Sequence, residues 1–196
     1  MFTLTPVTLT TDKIRLVPLT IDHLDNFYQA GKDAELWRWI PVNPCENISQ
    51  TKAWLEKALN EMQQGKQIAF MIFDFNSQRF IGSTRLFNAN IIDGAIEIGH
   101  TFIEQKYQRS YVNTHAKHLL LTHAFEILKV VRVEFRTHEN NDKSRQAITR
   151  IGATFEGILR KNRRYANGDY RNTALFSIID DEWPVIKAQL LSKMER

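Results

Sequence analysis

The spacing of apolar positions changes several times along the chain, and each change marks an element. Residues 13–19 (KIRLVPL) alternate apolar and polar, which predicts a strand. From Thr20 the spacing lengthens to a helical one over TIDHLDNFYQAG, with Thr20 as cap and Gly31 as stop. LWRWIPVNPCEN has two Trp, two Pro and no period, so it reads as a loop. Ser49 is placed to cap a second amphipathic helix, SQTKAWLEKALNEMQQG, which Gly65 closes. IAFMIFDF is a strand, Asn76-Ser77 turns it into RFIGSTRLFNA, and Asp93-Gly94 turns that into AIEIGHTFI. Three consecutive antiparallel strands are therefore expected over about residues 68–103.

The second half alternates strand and helix. NTHAKHLLLTHAFEIL carries an apolar stripe at Ala116, Leu119, Leu120, Ala124, Phe125 and Leu128. VVRVEFRT is a strand, and NDKSRQAITRIG is a helix from Asn141 to Gly152. ATFEGILRK and NTALFSII are two further strands, with an Asn167-Gly168 turn between them, and Asp180 is placed to cap a last helix. A meander followed by strand, helix, strand requires a parallel crossover. The predicted class is α+β: a mixed, mostly antiparallel central sheet with helices on both faces, in one domain spanning 1–196.

Composition narrows the class. Hydrophobic residues are 43% and charged residues 24%, the balance of a globular chain with its own core. No apolar run approaches the ~18 residues needed to cross a bilayer, and the N-terminus lacks the pattern of a secretory signal. One cysteine, Cys45, can form neither an internal disulfide nor a cysteine-based zinc site. A cytoplasmic protein with no membrane partner is expected. Charge is uneven: residues 1–100 hold 9 Lys+Arg and 11 Asp+Glu, whereas residues 101–196 hold 17 and 11. The basic half suits an anionic ligand, either a nucleotide cofactor or nucleic acid.

EIGHTFIEQKYQRSYVNTHAKHLLLTHAFE, then VVRVEFRTHENNDKSRQAITRIGATFEGILRK, resembles the GNAT acyl-CoA N-acetyltransferases. The similarity is greatest to their ribosomal-protein-alanine (RimJ/RimL-type) branch, and RNTALFSIIDDEW resembles that branch's closing strand and helix. The resemblance implies a splayed parallel strand pair holding acetyl-CoA as cosubstrate, with no metal. Its pyrophosphate would meet Gln108, Arg109, Ser110, Tyr111, Val112, Asn113 and Thr114, opening a helix near Asn113. Elementary physics agrees, because a helix N-terminus offers unpaired N–H groups and partial positive charge to an anion. The family's usual loop has glycine where Tyr111 and Asn113 stand, so the cradle must tolerate side chains there. By resemblance, Asn141 contacts the pantetheine arm and Ser144 lies near the sulfur. The tyrosine acid that many members place four residues later is replaced by Ile148, leaving Ser144 or water to protonate the thiolate.

Glu97 is the candidate general base, with Gly99 leaving room beside it; the alternative is a carboxylate salt-bridged to Arg85 on the neighbouring strand. Trp37, Arg38, Trp39 and Arg85 are candidate acceptor-binding residues. Cys45 has no local His partner for nucleophilic work, and His115 and His118 lack the carboxylate of a metalloprotease motif. Arg160, Lys161, Arg163, Arg164 and Arg171 surround the last hairpin, either solvated or facing an acidic acceptor or ribosomal RNA. The expected activity is transfer of acetyl from acetyl-CoA to a primary amine, either a protein N-terminal residue or a small molecule. Two alternatives stand beside it: a nucleic-acid-binding module using the basic hairpin with Tyr165 and Tyr170, and a catalytically inactive CoA-binding regulator. Nucleic acid otherwise enters only through a ribosomal setting, and monomer and homodimer are both open.

Overall fold

In the computed structural model, which describes residues 2–165 and 168–195, eight strands form one sheet among the described residues. They are β1 (Leu9–Thr10), β2 (Ile14–Pro18), β3 (Gln67–Asp74), β4 (Arg79–Asn90), β5 (Ala95–Ile103), β6 (Arg132–His138), β7 (Thr154–Arg164) and β8 (Tyr170–Ile179). Their spatial order is β1-β2-β3-β4-β5-β6-β8-β7. Every pairing is antiparallel except β5 with β6. The helices are α1 (Leu24–Gly31), α2 (Ile48–Gln63), α3 (Tyr111–Thr122), α4 (Asp142–Arg150) and α5 (Trp183–Met194). The mixed sheet inferred from the apolar pattern is the observed one.

Alternation along β3 explains the layers. Ile68, Phe70 and Ile72 join a core with Val112, Ala116 and Leu120 of α3, Ile148 of α4, and Trp183, Ile186 and Leu190 of α5. Ala69 and Met71 point the other way, into a second core with Phe27 and Ala30 of α1 and Leu55, Ala58 and Met62 of α2. Both faces of β3 are covered, which is why its sequence is almost continuously apolar. Among the described residues no helix is long and apolar enough to cross a membrane.

Local signals moved by a few residues. α2 is capped by Asn47, whose Oδ1 accepts from Gln50 N at 2.9 Å, rather than by Ser49. α3 begins at Tyr111, not near Asn113: Ser110 is its cap, and its Oγ accepts from Val112 N at 3.3 Å. The last helix starts at Trp183 with Glu182 as cap residue, two residues later than an Asp180 cap implies. β1 has only two residues, too few for a pattern to reveal. Gly94 closes the β4–β5 turn at φ +64°, the left-handed conformation that glycine adopts freely. Asn167 lies outside the described residues; its neighbour Gly168 has φ +94° and donates to Tyr165 O at 3.0 Å.

Candidate active site

The parallel pair is short. β5 and β6 are in register only at Ala95↔Arg132, Ile96↔Val133 and Glu97↔Glu134. β6 then continues to His138 beside β8, and β5 continues to Ile103 beside β4. The two strands therefore part after Glu97. Two irregularities in β4–β5 flank that point. Between Ser83↔Phe102 and Arg85↔Gly99, β5 carries one extra residue, with His100 at φ +47°. Between Phe87↔Glu97 and Asn90↔Ala95, β4 carries one extra residue, with Asn88 at φ +50°. Bulges of this kind bend a strand and re-aim side chains. The second turns Asn88 towards Glu97.

Glu97 is 5% exposed, on the sheet face that α1 and α2 cover. Asn88 Nδ2 donates to its Oε2 at 2.8 Å, and Arg136 Nε stands 3.6 Å from the same oxygen. Burial pushes the Glu97 carboxyl above its usual range, while Asn88, Arg136 and Arg163 pull it back. A Cβ at Gly99 would come within 2.9 Å of the Phe87 ring, so only glycine lets that ring lie beside Glu97. Arg85 is not the ion-pair partner of Glu97. Its Nη1 donates to Gln67 Oε1 at 3.2 Å, and its guanidinium lies 5.2 Å from the centre of the Trp54 ring. His100 stacks edge-on against Phe87 at 4.9 Å and Trp54 at 5.7 Å. Crowding by these side chains, then the charges of Arg85, Arg163 and Lys57, hold its pKa well below the ordinary value, although the residue stays partly open to solvent.

The aromatic loop divides. Trp37 turns inward: it is 6% exposed, its Nε1 donates to Gly31 O at 2.6 Å, and its ring meets Phe102 at 4.9 Å. Arg38 is solvated and paired with Glu35 at 3.2 Å. Trp39 faces the parting strands, its ring 4.8 Å from that of His138 at the end of β6. Its carbonyl accepts from Arg171 Nη1 at 2.6 Å, tying the loop to the last hairpin. The charges of Arg163 and Arg171 on that hairpin reach Glu97. Arg160, Lys161 and Arg164 are exposed.

On the opposite face the first turn of α3 opens from Arg109, which holds φ +59°. Ser110 Oγ donates to Tyr107 O at 2.6 Å, so the loop is closed on itself. Of the first-turn amides, Val112 N is taken by Ser110, whereas helix geometry leaves those of Tyr111 and Asn113 without intrahelical acceptors. The Tyr111 side chain swings away to the end of β3: its hydroxyl donates to Asp74 Oδ1 at 2.5 Å and accepts from Asn76 Nδ2 at 2.9 Å. Gln108 Nε2 donates to Ile103 O at 2.9 Å, and its Oε1 is buried without a partner among the described residues. Asn141 caps α4, its Oδ1 accepting from Ser144 N at 3.1 Å. Ser144 is half-buried, and its hydroxyl makes no hydrogen bond among the described residues. Ile148 belongs to the core and offers no acid.

Other candidates have structural occupations. Cys45 is buried, and burial pushes its thiol up to about 12, so it is neutral and unreactive. His115 Nδ1 meets Thr11 Oγ1 at 2.9 Å, and the His118 ring lies near Trp183. Lys117, which no sequence pattern singled out, is 5% exposed under α3 and donates to Thr101 Oγ1 at 2.8 Å. Burial holds its ammonium down to about 7. Trp54, His100 and Asn88 likewise carry no mark in the sequence as site residues. Lys117 and Trp54 sit at helical spacings that read as ordinary surface and core positions, and no local signal marks the other two.

The Acetyltransferase (GNAT) domain family matches residues 13–154. YjcK of Bacillus subtilis (strain 168), named a probable N-acetyltransferase, is 31% identical over 126 residues, covering 62% of this chain and 67% of its own. A GCN5-related N-acetyltransferase from Brucella melitensis superposes with a TM-score of 0.88 at 28% identity, over 97% of this chain and 89% of that one. Mycobacterium smegmatis RimJ, solved in complex with CoA-disulfide, has the same fold: TM-score 0.84 at 18% identity, over 98% and 97% of the two chains. A short parallel pair that splits beside a helix N-terminus, on a chain matched over most of its length, leaves one assignment: the protein belongs to the GNAT family and is an N-acetyltransferase.

Proposed function

We propose that the chain transfers acetyl from acetyl-CoA to a primary amine, with the cosubstrate along the α3–α4 side of the parting strands and the amine on the Glu97 side. The observation that carries this reading is the separation of β5 and β6 after Glu97↔Glu134, with a capped helix N-terminus on one face and a buried carboxylate on the other. The groups present fit acetyl-CoA. The amides of Tyr111 and Asn113 suit phosphate oxygens, and Arg109 adds a formal charge. Tyr111 does not obstruct them, because its ring is anchored on Asp74 and Asn76. The left-handed dihedral that a glycine loop would provide is carried by Arg109. Asn141 and Ser144, at the start of α4, suit the pantetheine arm and the sulfur. The RimJ structure, solved in complex with CoA-disulfide, supports a CoA ligand in this fold.

Acetyl-CoA supplies an activated thioester, so the enzyme's tasks are positioning and proton movement. An amine attacks only when neutral, and Glu97 accepts its proton, directly or through a water. A carboxyl raised by burial is a better base than an exposed one, which matters because an α-amino group holds its proton to about pH 8. As the C–N bond forms and the C–S bond breaks, the thiolate takes a proton from water, either directly or through the Ser144 hydroxyl, which is re-protonated by that water as it gives its own proton up. Backbone N–H groups freed where β5 leaves β6 are suited to the developing oxyanion. A protein N-terminal residue is the acceptor favoured by the RimJ/RimL resemblance, and its lower pKa suits a carboxylate base better than a lysine side chain would.

The test is a melting curve with acetyl-CoA followed by an acceptor array read by thiol release. At 100 times Kd, linkage stabilises the fold by about 2.7 kcal/mol. Absence of a thermal shift at millimolar acetyl-CoA, with tight salt-sensitive DNA binding instead, would overturn the proposal in favour of a nucleic-acid module.

A further inference from the structure

Arg85 is the most deeply buried arginine near the acceptor side, and no carboxylate among the described residues is ion-paired with it. It is 6% exposed, yet among the described residues its guanidinium makes a single hydrogen bond, to the neutral Gln67 amide. Glu61 makes no ion pair with it: its charge acts on Arg85 from a distance, and its carboxylate accepts from Gln67 Nε2 at 2.9 Å. A guanidinium has five donors in a fixed fork that matches a carboxylate; beyond the bond to Gln67, none of the Arg85 nitrogens is buried without a partner, so the rest of the fork stays open to an incoming group. Its place is set by the sheet. Arg85 stands opposite Gly99, while Glu97 stands opposite Phe87, so the two side chains share a face two residues apart along their strands. That separation is about 7 Å in a strand. Trp54 and His100 lie against the guanidinium side of this face, and His100 stays partly open to solvent.

The wider field has the same sign. Lys57 on α2 and Arg163 on β7 both act on His100, and Arg136, Arg163 and Arg171 act on Glu97. Glu134 is neutralised by Arg132 at 2.9 Å and Arg136 at 2.7 Å. These cations outnumber the carboxylates Glu97 and Glu61 on this side, which favours an acceptor that carries an anion beside its amine over one that carries the amine alone.

We propose that Arg85 recognises a carboxylate on the acceptor, so that the enzyme acetylates amines carrying a carboxylate near the amine, with Arg163 adding long-range attraction. The inference rests on the reading above, in which Glu97 receives the amine proton. The carboxylate can be the α-carboxylate of an amino acid or the side chain of an acidic residue just after a peptide N-terminus. Its distance from the amine distinguishes the two.

The experiment uses pairs of acceptors that differ only in charge: alanine with alaninamide, and short amidated peptides beginning Ala-Glu with those beginning Ala-Gln. The wild type is expected to prefer the carboxylate member of at least one pair by about tenfold or more in kcat/KM, which is the discrimination expected of a buried charge-assisted contact. Arg85→Gln should erase the preference through KM while leaving the acetyl-CoA Kd unchanged, and Arg85→Lys should restore part of it. Arg163→Gln, at an exposed position that cannot unfold the core, should reduce the preference a few-fold and make it less salt-sensitive. In parallel, the Arg85 Nε–H resonance should shift when N-acetylalanine or the acetylated Ala-Glu peptide is added, and not with the amide counterparts. Equal turnover of both members of each pair, or an unshifted Arg85 resonance, would overturn the inference while leaving acetyl transfer intact. Failure to bind acetyl-CoA would instead overturn the proposed function, with the Arg85 titration still reading carboxylate recognition separately.

Discussion

Both faces of the sheet bury a cation beside the parting strands, and the two are held differently. Arg85, under α2, keeps a polar relay to Glu61 through Gln67 and lies over the Trp54 ring. Lys117, under α3, has one hydroxyl, that of Thr101. Burial lowers both, to about 10 for Arg85 and about 7 for Lys117. Near neutral pH the arginine is therefore a permanent charge, while the lysine is close to losing its own. The α2 face keeps formal charge where a polar acceptor would approach. The α3 face offers backbone amides at the start of its helix, where the proposed cosubstrate phosphates would lie, and its interior lysine is held near neutrality. A site that recognises charge uses arginine because the delocalised guanidinium survives burial.

The largest effect should come from that difference. Below pH 7, Lys117 is protonated in folded and unfolded chains alike, and the fold bears the full cost of burying the charge. Between about pH 7 and 10.5 the unfolded chain holds the proton and the folded one has released it, so stability rises with pH across that window. The total is on the order of 5 kcal/mol, at about 1.4 kcal/mol per pKa unit. Lys117→Met should stabilise the protein near pH 6 and lose its advantage towards pH 10, as read from denaturant midpoints of both proteins across pH. A constant difference between them would mean that the lysine is already solvated in the fold.

Glu97→Gln sharpens the comparison on the other face. It should lower kcat by roughly a hundredfold, within the usual range for a positioned base, and leave acetyl-CoA affinity unchanged. The deficit should shrink as pH rises, because a growing fraction of the amine is already neutral. A pH-rate profile with calorimetric Kd values separates this from a purely structural role, for which the loss would be the same at every pH.

Smaller effects belong to the α3 end. Ser110→Pro removes an amide, the cap to Val112 and the extended geometry of the N-cap, and should weaken acetyl-CoA binding by about tenfold or more, roughly 1.4 kcal/mol. Circular dichroism must show the variant folded; normal affinity in a folded variant would move the phosphates elsewhere. Tyr111→Phe loses the hydroxyl contacts to Asp74 and Asn76 and should cost about 1 kcal/mol of stability with no change in acetyl-CoA Kd. A matching loss of affinity would mean that the Tyr111 side chain itself takes part in the cradle.

The elements were legible because each depends on neighbours a few residues away. The apolar run of β3, the stripe of α3, the Asp93-Gly94 turn and the Asn141 cap are local patterns with local causes. The loop that opens α3 was legible for the same reason, since Gln108 to Thr114 are contiguous and a helix start depends on its own cap; its proposed role toward the phosphates acts through backbone amides. Cap choices shifted because Asn47 competes with Ser49, and Ser110 with Asn113 and Thr114, over distances where either is chemically adequate. The acceptor side was much less legible. Arg85 and Glu97 invited a cross-strand ion pair, but the extra residues at His100 and Asn88 bend the strands and give Glu97 to Asn88 and Arg136. Trp37 and Trp39 are indistinguishable in a loop without a period, yet one closes the core and the other faces the site.

The sequence by itself determined the strand and helix succession, the mixed sheet with both faces covered, and the contiguous loop that opens α3. Tertiary structure alone decided which charges meet. Glu97, Arg85, Trp54, Trp39 and Arg171 come from five separate segments, and their juxtaposition depends on where β5 leaves β6 and how far each bulge rotates a side chain. Hydrophobic periodicity specifies which face of an element is buried, but carries no information about which polar groups become neighbours on it. That is settled only when the sheet is assembled and the cost of burying each charge selects its partner.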